Sequence, residues 1–291
     1  MTQTMSHRLR DYALLMRLDK PIGIWLLLWP TLWALWLAAG GMPPLDLLAV
    51  FVLGTALMRS AGCVINDYAD REFDPHVERT KDRPIAAGRV SPREALLLFV
   101  VLCLLALAVA SRLNAAALWL SLPAAALAAS YPFAKRFHSL PQAHLGIAFS
   151  WGIPMAYAAV RGTVPWAEAG LLMAANLCWV IAYDTYYAMS DREDDLKIGV
   201  KSSAILFGRH DRLIIGLLHA AALLLLAWIG ARAGRGVWYW LGLAVAAVFA
   251  VREQHMTRRR ERGPCFEAFL DNNRFGAAVF LGLALDYVMG S

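Results

Sequence analysis

Apolar runs about as long as a bilayer is thick recur along this 291-residue chain, and nothing constrains its fold more. Crossing about 30 Å of hydrocarbon takes roughly 20 apolar residues in a helix. A spanning segment must also satisfy its own backbone hydrogen bonds, because lipid offers none. Nine spans are read, at about 22–39, 45–65, 95–110, 115–132, 141–160, 167–187, 213–230, 236–251 and 274–289. Charged residues make up 17% of the chain, below the roughly 25% of a soluble domain. The expected fold is therefore an all-α polytopic membrane protein, a single domain over residues 1–291. The basic lead (Arg8, Arg10, Arg17, Lys20) runs into a full-length span with no small-residue cleavage site, so it reads as a retained first helix.

Lys and Arg fix the orientation. The side holding the N-terminus carries 23 of them, and the opposite side only Arg112, Arg161, Arg232 and Arg235. The positive-inside rule then predicts a cytoplasmic N-terminus. It also accounts for the basic excess, so no nucleic-acid partner is needed; the partner is the lipid bilayer. The four cysteines (Cys63, Cys103, Cys178, Cys265) form no CxxC pair and read as small core residues.

On the basic side an acidic string occurs twice. Asp70-Arg71-Glu72-Phe73-Asp74 recurs as Asp191-Arg192-Glu193-Asp194-Asp195, four spans later. That offset keeps the strings parallel and predicts an internal repeat of about 20–140 and 141–251, with a final helix at about 274–289. Asn66, Asp70 and Asp74 are spaced i, i+4, i+8, so a continued helix would stack them on one face. Asp184, Asp191 and Asp195 follow a similar rhythm, seven residues being nearly two turns. Oxygen ligands without a neighbouring Cys or His suit Mg²⁺, which typically bridges carboxylates to substrate phosphates. Nearby stand Arg79, Lys81, Arg83, Lys197 and Lys201, all suited to phosphate. Carboxylates and cations at the mouth of an apolar bundle describe a site for an amphiphile with an anionic head, and a diphosphate-bearing lipid fits. The plainer alternative is a set of solvated helix ends, each worth about 0–1 kcal/mol. Two copies at equivalent positions argue against it.

These residues resemble the UbiA superfamily of intramembrane prenyltransferases. Its NxxxDxxxD motif is matched by Asn66, Asp70 and Asp74, and its DxxxD motif by Asp191 and Asp195. Three further stretches resemble the branch that prenylates 4-hydroxybenzoate in ubiquinone biosynthesis. They are Arg17-Leu18-Asp19-Lys20-Pro21-Ile22-Gly23 leading into Leu28-Trp29-Pro30, then Ser130-Tyr131-Pro132, then Tyr183-Asp184-Thr185-Tyr186-Tyr187. The resemblance implies nine helices around a central cavity in an inner membrane of bacterial type, with the site on the cytoplasmic side. It implies Mg²⁺ on Asn66, Asp70, Asp74, Asp191 and Asp195, with polyprenyl diphosphate and 4-hydroxybenzoate as substrates. Lys81, Arg83, Lys201 and Asn66 are expected on the diphosphate, and Asp184 beside the phenol or a metal. Arg136 and Arg17, with Tyr131, are candidates for the aromatic acid. For both arginines a role as positive-inside anchors is an equal alternative. The oligomeric state stays open. The serious rival is a sister prenyltransferase with another acceptor. A cation-coupled transporter fits less well, since such sites usually lie near the bilayer midplane.

Overall fold

A computed structural model describes residues 5–290, the side chains of Lys135 and Ile198 excepted. The described residues form twelve α-helices and no strand. A short leading helix, α1 (Met5–Leu15), precedes α2 (Ile22–Ala39), which is apolar all round and therefore sits in the core. Trp33 and Leu35 of α2 are almost completely buried. The indole of Trp29 donates to Asn273 Oδ1 at 2.8 Å and that of Trp33 to the Gly276 carbonyl at 3.3 Å. These bonds tie the first long helix to the last.

Next come α3 (Leu45–Ala69) and α4 (Pro92–Ala110), separated by a 22-residue loop of turns. A capping box starts α4: the Ser91 hydroxyl accepts from the Glu94 N–H, and the Glu94 carboxylate accepts from the Ser91 N–H. The outer face of α4 leaves Leu97, Val100, Leu104 and Leu105 exposed, as a lipid-facing helix does. Helix α5 (Ala115–Phe137) is capped by Asn114, whose side chain accepts from the Ala117 N–H. One crossing is split into α6 (Pro141–Ser150) and α7 (Gly152–Arg161). Pro154 has no N–H to offer the Ser150 carbonyl, which explains the break.

Helix α8 (Trp166–Ile198) has 33 residues. At 1.5 Å per residue it is about 50 Å long, well beyond the hydrocarbon thickness. Its motif-bearing end therefore projects from the apolar layer. Gly199 stops it in the left-handed region, at φ 73°. The short α9 (Ser203–Phe207) leads into α10 (Asp211–Arg232), α11 (Val237–Met256) and α12 (Arg262–Met289). Helices α11 and α12 pack backbone to backbone. A Cβ on Gly242 would stand 2.8 Å from the Cα of Gly282, which explains the small residues at this crossing.

Seven segments are long and apolar enough to cross a bilayer: α2, α3, α4, α5, α6 with α7, α8, and α9 with α10. The spans expected at 236–251 and 274–289 coincide with α11 and α12, which are helical but outside that set. Polar groups lower their apolar character, including Arg252 and Glu253 on α11 and Asp271 and Arg274 on α12.

Candidate active site

A cavity of about 1510 Å³ opens at the end of the bundle where both acidic strings lie. Its walls are mostly apolar, from α2, α3, α4, α5, α6, α8 and α12, while its mouth is lined by charge. Asp67, Asp70, Asp74, Asp184, Asp191 and Asp195 all reach it, with Asn66 beside them. Asp67, Asp70, Asp74 and Asp191 are each at least 93% buried. Carboxylates so far from bulk water need partners.

The first string departs from the expected continuous helix. Helix α3 ends at Ala69, Asp70 is its C-cap, and Asp74 opens a separate 3₁₀ turn to His76. The turn spacing survives nonetheless. The Asp70 N–H donates to the Asn66 carbonyl at 2.9 Å, and the Asp74 N–H to the Asp70 carbonyl at 2.9 Å. The Asn66 amide also donates to Asp70 Oδ2 at 3.3 Å. The second string is as expected, since α8 runs unbroken through Asp184, Asp191 and Asp195.

Arginines bind most of these carboxylates. Arg83 donates to Asp74 at 2.9 and 3.1 Å and lies 3.0 Å from Asp67. Arg17, itself at φ 57°, donates from Nη2 to both oxygens of Asp67 at 2.8 and 2.9 Å, and from Nη1 to the Leu14 carbonyl at 2.8 Å. Arg79 forks onto Asp191 at 3.0 and 2.5 Å and lies 4.5 Å from the centre of the Tyr187 ring. Burial pushes the Asp74 carboxyl above the ordinary carboxylate value, against the opposing pull of Arg83. For Arg83 itself burial disfavours the charge, but Asp67 and Asp74 more than offset this and hold it cationic. The loop after α3 is fixed from outside as well. Asp11 of α1 pairs with Arg89 at 2.8 Å, and Arg8 with Glu94 at 3.1 Å.

Among the other expected site residues, Lys201 lies exposed at the rim and Tyr131 lines the wall. Lys81 stands beside the cavity. Its ammonium pairs with Glu78 at 2.7 Å, and Lys81 does not itself line the cavity although Glu78, Thr80 and Asp82 of the same turn do. Arg136 is a correction. Its guanidinium donates to the Ala69 carbonyl at 2.5 Å, so it caps the end of α3 instead of facing the cavity. Arg17 borders the cavity, but its guanidinium is taken by Asp67 and the Leu14 carbonyl.

Arg59 is the residue that sequence reasoning passed over. It lies inside α3, two turns below Asn66, and borders the cavity. Its Nη1 donates to Cys63 Sγ at 2.7 Å, its Nε is buried without a hydrogen-bond partner, and it makes no ion pair among the described residues. Tyr131, Tyr183, Tyr187 and Asp184 surround it. Gly23 of α2 makes the room, since a Cβ there would collide with the guanidinium. Gln142 orients the opposite wall: its oxygen accepts from the Ser203 N–H at 3.0 Å, and its amide is hydrogen-bonded to Asp184.

The donor set fits Mg²⁺, because the carboxylates and the Asn66 amide at the mouth are hard oxygen ligands. Among the described residues, however, no three Asp, Glu, His or Cys side chains are arranged as a ready-made metal cage. Asp67, Asp74 and Asp191 are held by arginines instead.

This is a multi-pass helical membrane protein with an acidic and basic mouth over an apolar cavity. It belongs to the UbiA prenyltransferase family, whose sequence model matches residues 27–281. The chain is 61% identical to a 4-hydroxybenzoate octaprenyltransferase of Azoarcus sp. strain BH72, over 99% of this chain and 100% of that one. It is 60% identical to another of the same name from Nitrosococcus oceani, over 98% and 99%. The apo structure of a UbiA homolog from Aeropyrum pernix K1 superposes with a TM-score of 0.79 at 29% identity, covering 91% of this chain and 97% of that one. A UbiA homolog from Archaeoglobus fulgidus, bound to GPP and Mg²⁺, shares the fold with a TM-score of 0.70 at 20% identity, over 94% and 99%.

Proposed function

We propose that this chain transfers a polyprenyl group from polyprenyl diphosphate to the ring carbon ortho to the hydroxyl of 4-hydroxybenzoate, in the ubiquinone pathway. The allylic C–O bond breaks, a C–C bond forms, the ring proton is lost and diphosphate leaves. The observation that carries this reading is an apolar cavity with an arginine and carboxylate mouth above a half-buried Arg59 that makes no ion pair among the described residues. The names of the relatives in Azoarcus and Nitrosococcus support both the acceptor and an octaprenyl tail.

Asn66, Asp70, Asp74, Asp191 and Asp195 would hold Mg²⁺, as the metal bound in the Archaeoglobus homolog supports. Bound there, the metal neutralises the diphosphate and makes it a better leaving group. Arg79, Arg83 and Lys201 lie where the anionic head enters and stabilise the charge that develops on it. The tail lies along the apolar wall. The rings of Tyr131, Tyr183 and Tyr187 present π faces to the allylic cation, and the cavity keeps water from it. Arg59 replaces Arg136 and Arg17 as partner of the acceptor carboxylate, because it borders the cavity and makes no ion pair among the described residues. Asp184, held by Gln142, faces the same chamber and orients the phenol. The parallel repeat of 20–140 and 141–251 explains why each half supplies one acidic string at one mouth. Nine crossings would follow if α11 and α12 also span, with that mouth in the cytoplasm of a bacterial-type inner membrane.

The test is incubation of membranes carrying the chain with Mg²⁺, octaprenyl diphosphate and a panel of acceptors. The expected product is 3-octaprenyl-4-hydroxybenzoate with one diphosphate released. Turnover of a naphthoate or a haem acceptor alone would overturn the acceptor and leave the prenyl transfer standing.

A further inference from the structure

Both oxygens of Asp191, on α8, are taken by the guanidinium of Arg79, which belongs to the loop after α3. A divalent ion on that carboxylate would stand within a few ångströms of the guanidinium, and like charges so close repel strongly at a half-buried site. Metal and Arg79 therefore compete for Asp191. Arg79 also lies over the face of Tyr187, and the carboxylate it forks onto is Asp191. Arg83 differs: it stays anchored by Asp67, which Arg17 also grips, even if Asp74 lets it go. Arg83 thus keeps an anchor outside the motif positions, whereas the carboxylate that grips Arg79 is itself a motif residue.

We infer that Arg79 is an exchange arm, which holds Asp191 until a diphosphate arrives and then passes to the diphosphate oxygens, freeing Asp191 for the metal. The inference rests on the prenyl-diphosphate reading above. A diphosphate satisfies the planar fork of Arg79 as well as a carboxylate does. It also bridges the two charges that would otherwise repel. The consequence is that metal and diphosphate bind together, each raising the affinity for the other by the same factor. Because Arg79 and Asp191 come from different halves of the chain, the exchange also loosens the loop after α3 from α8 as the substrate head enters.

The test measures Mn²⁺ binding to the purified full chain by electron paramagnetic resonance of the free ion. Mn²⁺ replaces Mg²⁺ because it takes the same oxygen ligands. Titrations are run with and without an allylic thiolodiphosphate, whose bridging sulfur slows ionisation, and the analogue's own Mn²⁺ complex is subtracted. For the wild-type chain the analogue is expected to tighten Mn²⁺ by about tenfold or more. In Arg79→Gln, analogue-free Mn²⁺ binding is expected to be about fivefold tighter than wild type, and the gain from the analogue to fall below about threefold. Structural damage would weaken the metal, so a tighter site is a signature it cannot produce. Arg79→Lys, which keeps the charge but loses the fork, is expected to fall between the two. Analogue-free Mn²⁺ binding to Arg79→Gln no tighter than to wild type, with analogue binding intact, would overturn the exchange and leave the prenyl-diphosphate reading standing. A folded wild-type chain that binds neither Mn²⁺ nor the analogue would overturn both.

Discussion

Arg59 carries the heaviest prediction at the scale of single residues. Removing one partner of a buried, hydrogen-bonded charge pair costs about 2–5 kcal/mol, so Arg59→Ala should lower kcat/KM for 4-hydroxybenzoate by roughly 30-fold or more. The KM for the prenyl diphosphate should stay within about twofold, since uniform loss of fold is not the mechanism. Arg59→Lys should recover little, because a point charge does not replace a bidentate fork. Gly23→Val should reproduce the defect without touching Arg59, as its branched side chain fills the space the guanidinium occupies. Steady-state kinetics on both substrates separate these outcomes from a general collapse. Lys81→Ala is the opposite case. Its ammonium sits in an exposed pair with Glu78, worth about 0–1 kcal/mol, and turnover should change by less than about twofold.

At the scale of helices, the pairing of α11 with α12 depends on Gly242 and Gly282 lying backbone to backbone. Over-packing a well-filled contact typically costs about 1–3 kcal/mol, and here no flexible side chain can yield. Gly282→Leu should therefore lower the thermal midpoint in detergent by several degrees, read by the loss of α-helical circular dichroism; an unchanged midpoint would show that the helices tolerate separation. The helices were legible in the sequence because lipid thickness fixes their length. Less legible was where each stops. The spacing of Asn66, Asp70 and Asp74 predicts one continuous helix, whereas α3 ends at Ala69 and the loop keeps the spacing through single backbone bonds. Side-chain direction was least legible. Lys81 and Arg136 carry the right charge next to the right motifs, yet one pairs with Glu78 and the other caps α3. Arg59 reads in sequence as an isolated charge inside an apolar span. Its use becomes visible only when α2 brings Gly23 against it, 36 residues away in the chain.

For the whole molecule, the two acidic strings are the part the sequence announced most clearly, and they share one mouth because α3 and α8 end on the same side of one cavity. The ion pair between Arg79 and Asp191 joins the loop of one string to the helix of the other. The central claim is that this joined mouth, loaded with Mg²⁺, activates a prenyl diphosphate for attack by 4-hydroxybenzoate. The measurement that tests it most directly is the rate of 3-octaprenyl-4-hydroxybenzoate formation by membranes carrying the wild-type chain, Asp70→Ala or Asp191→Ala, with Mg²⁺ and again with excess EDTA. The wild type should form product only with the metal, and each variant should lose about 10²-fold or more of that rate, the scale on which a group that stabilises transition-state charge acts. Product formation at the wild-type rate by both variants, or undiminished by EDTA, would contradict it.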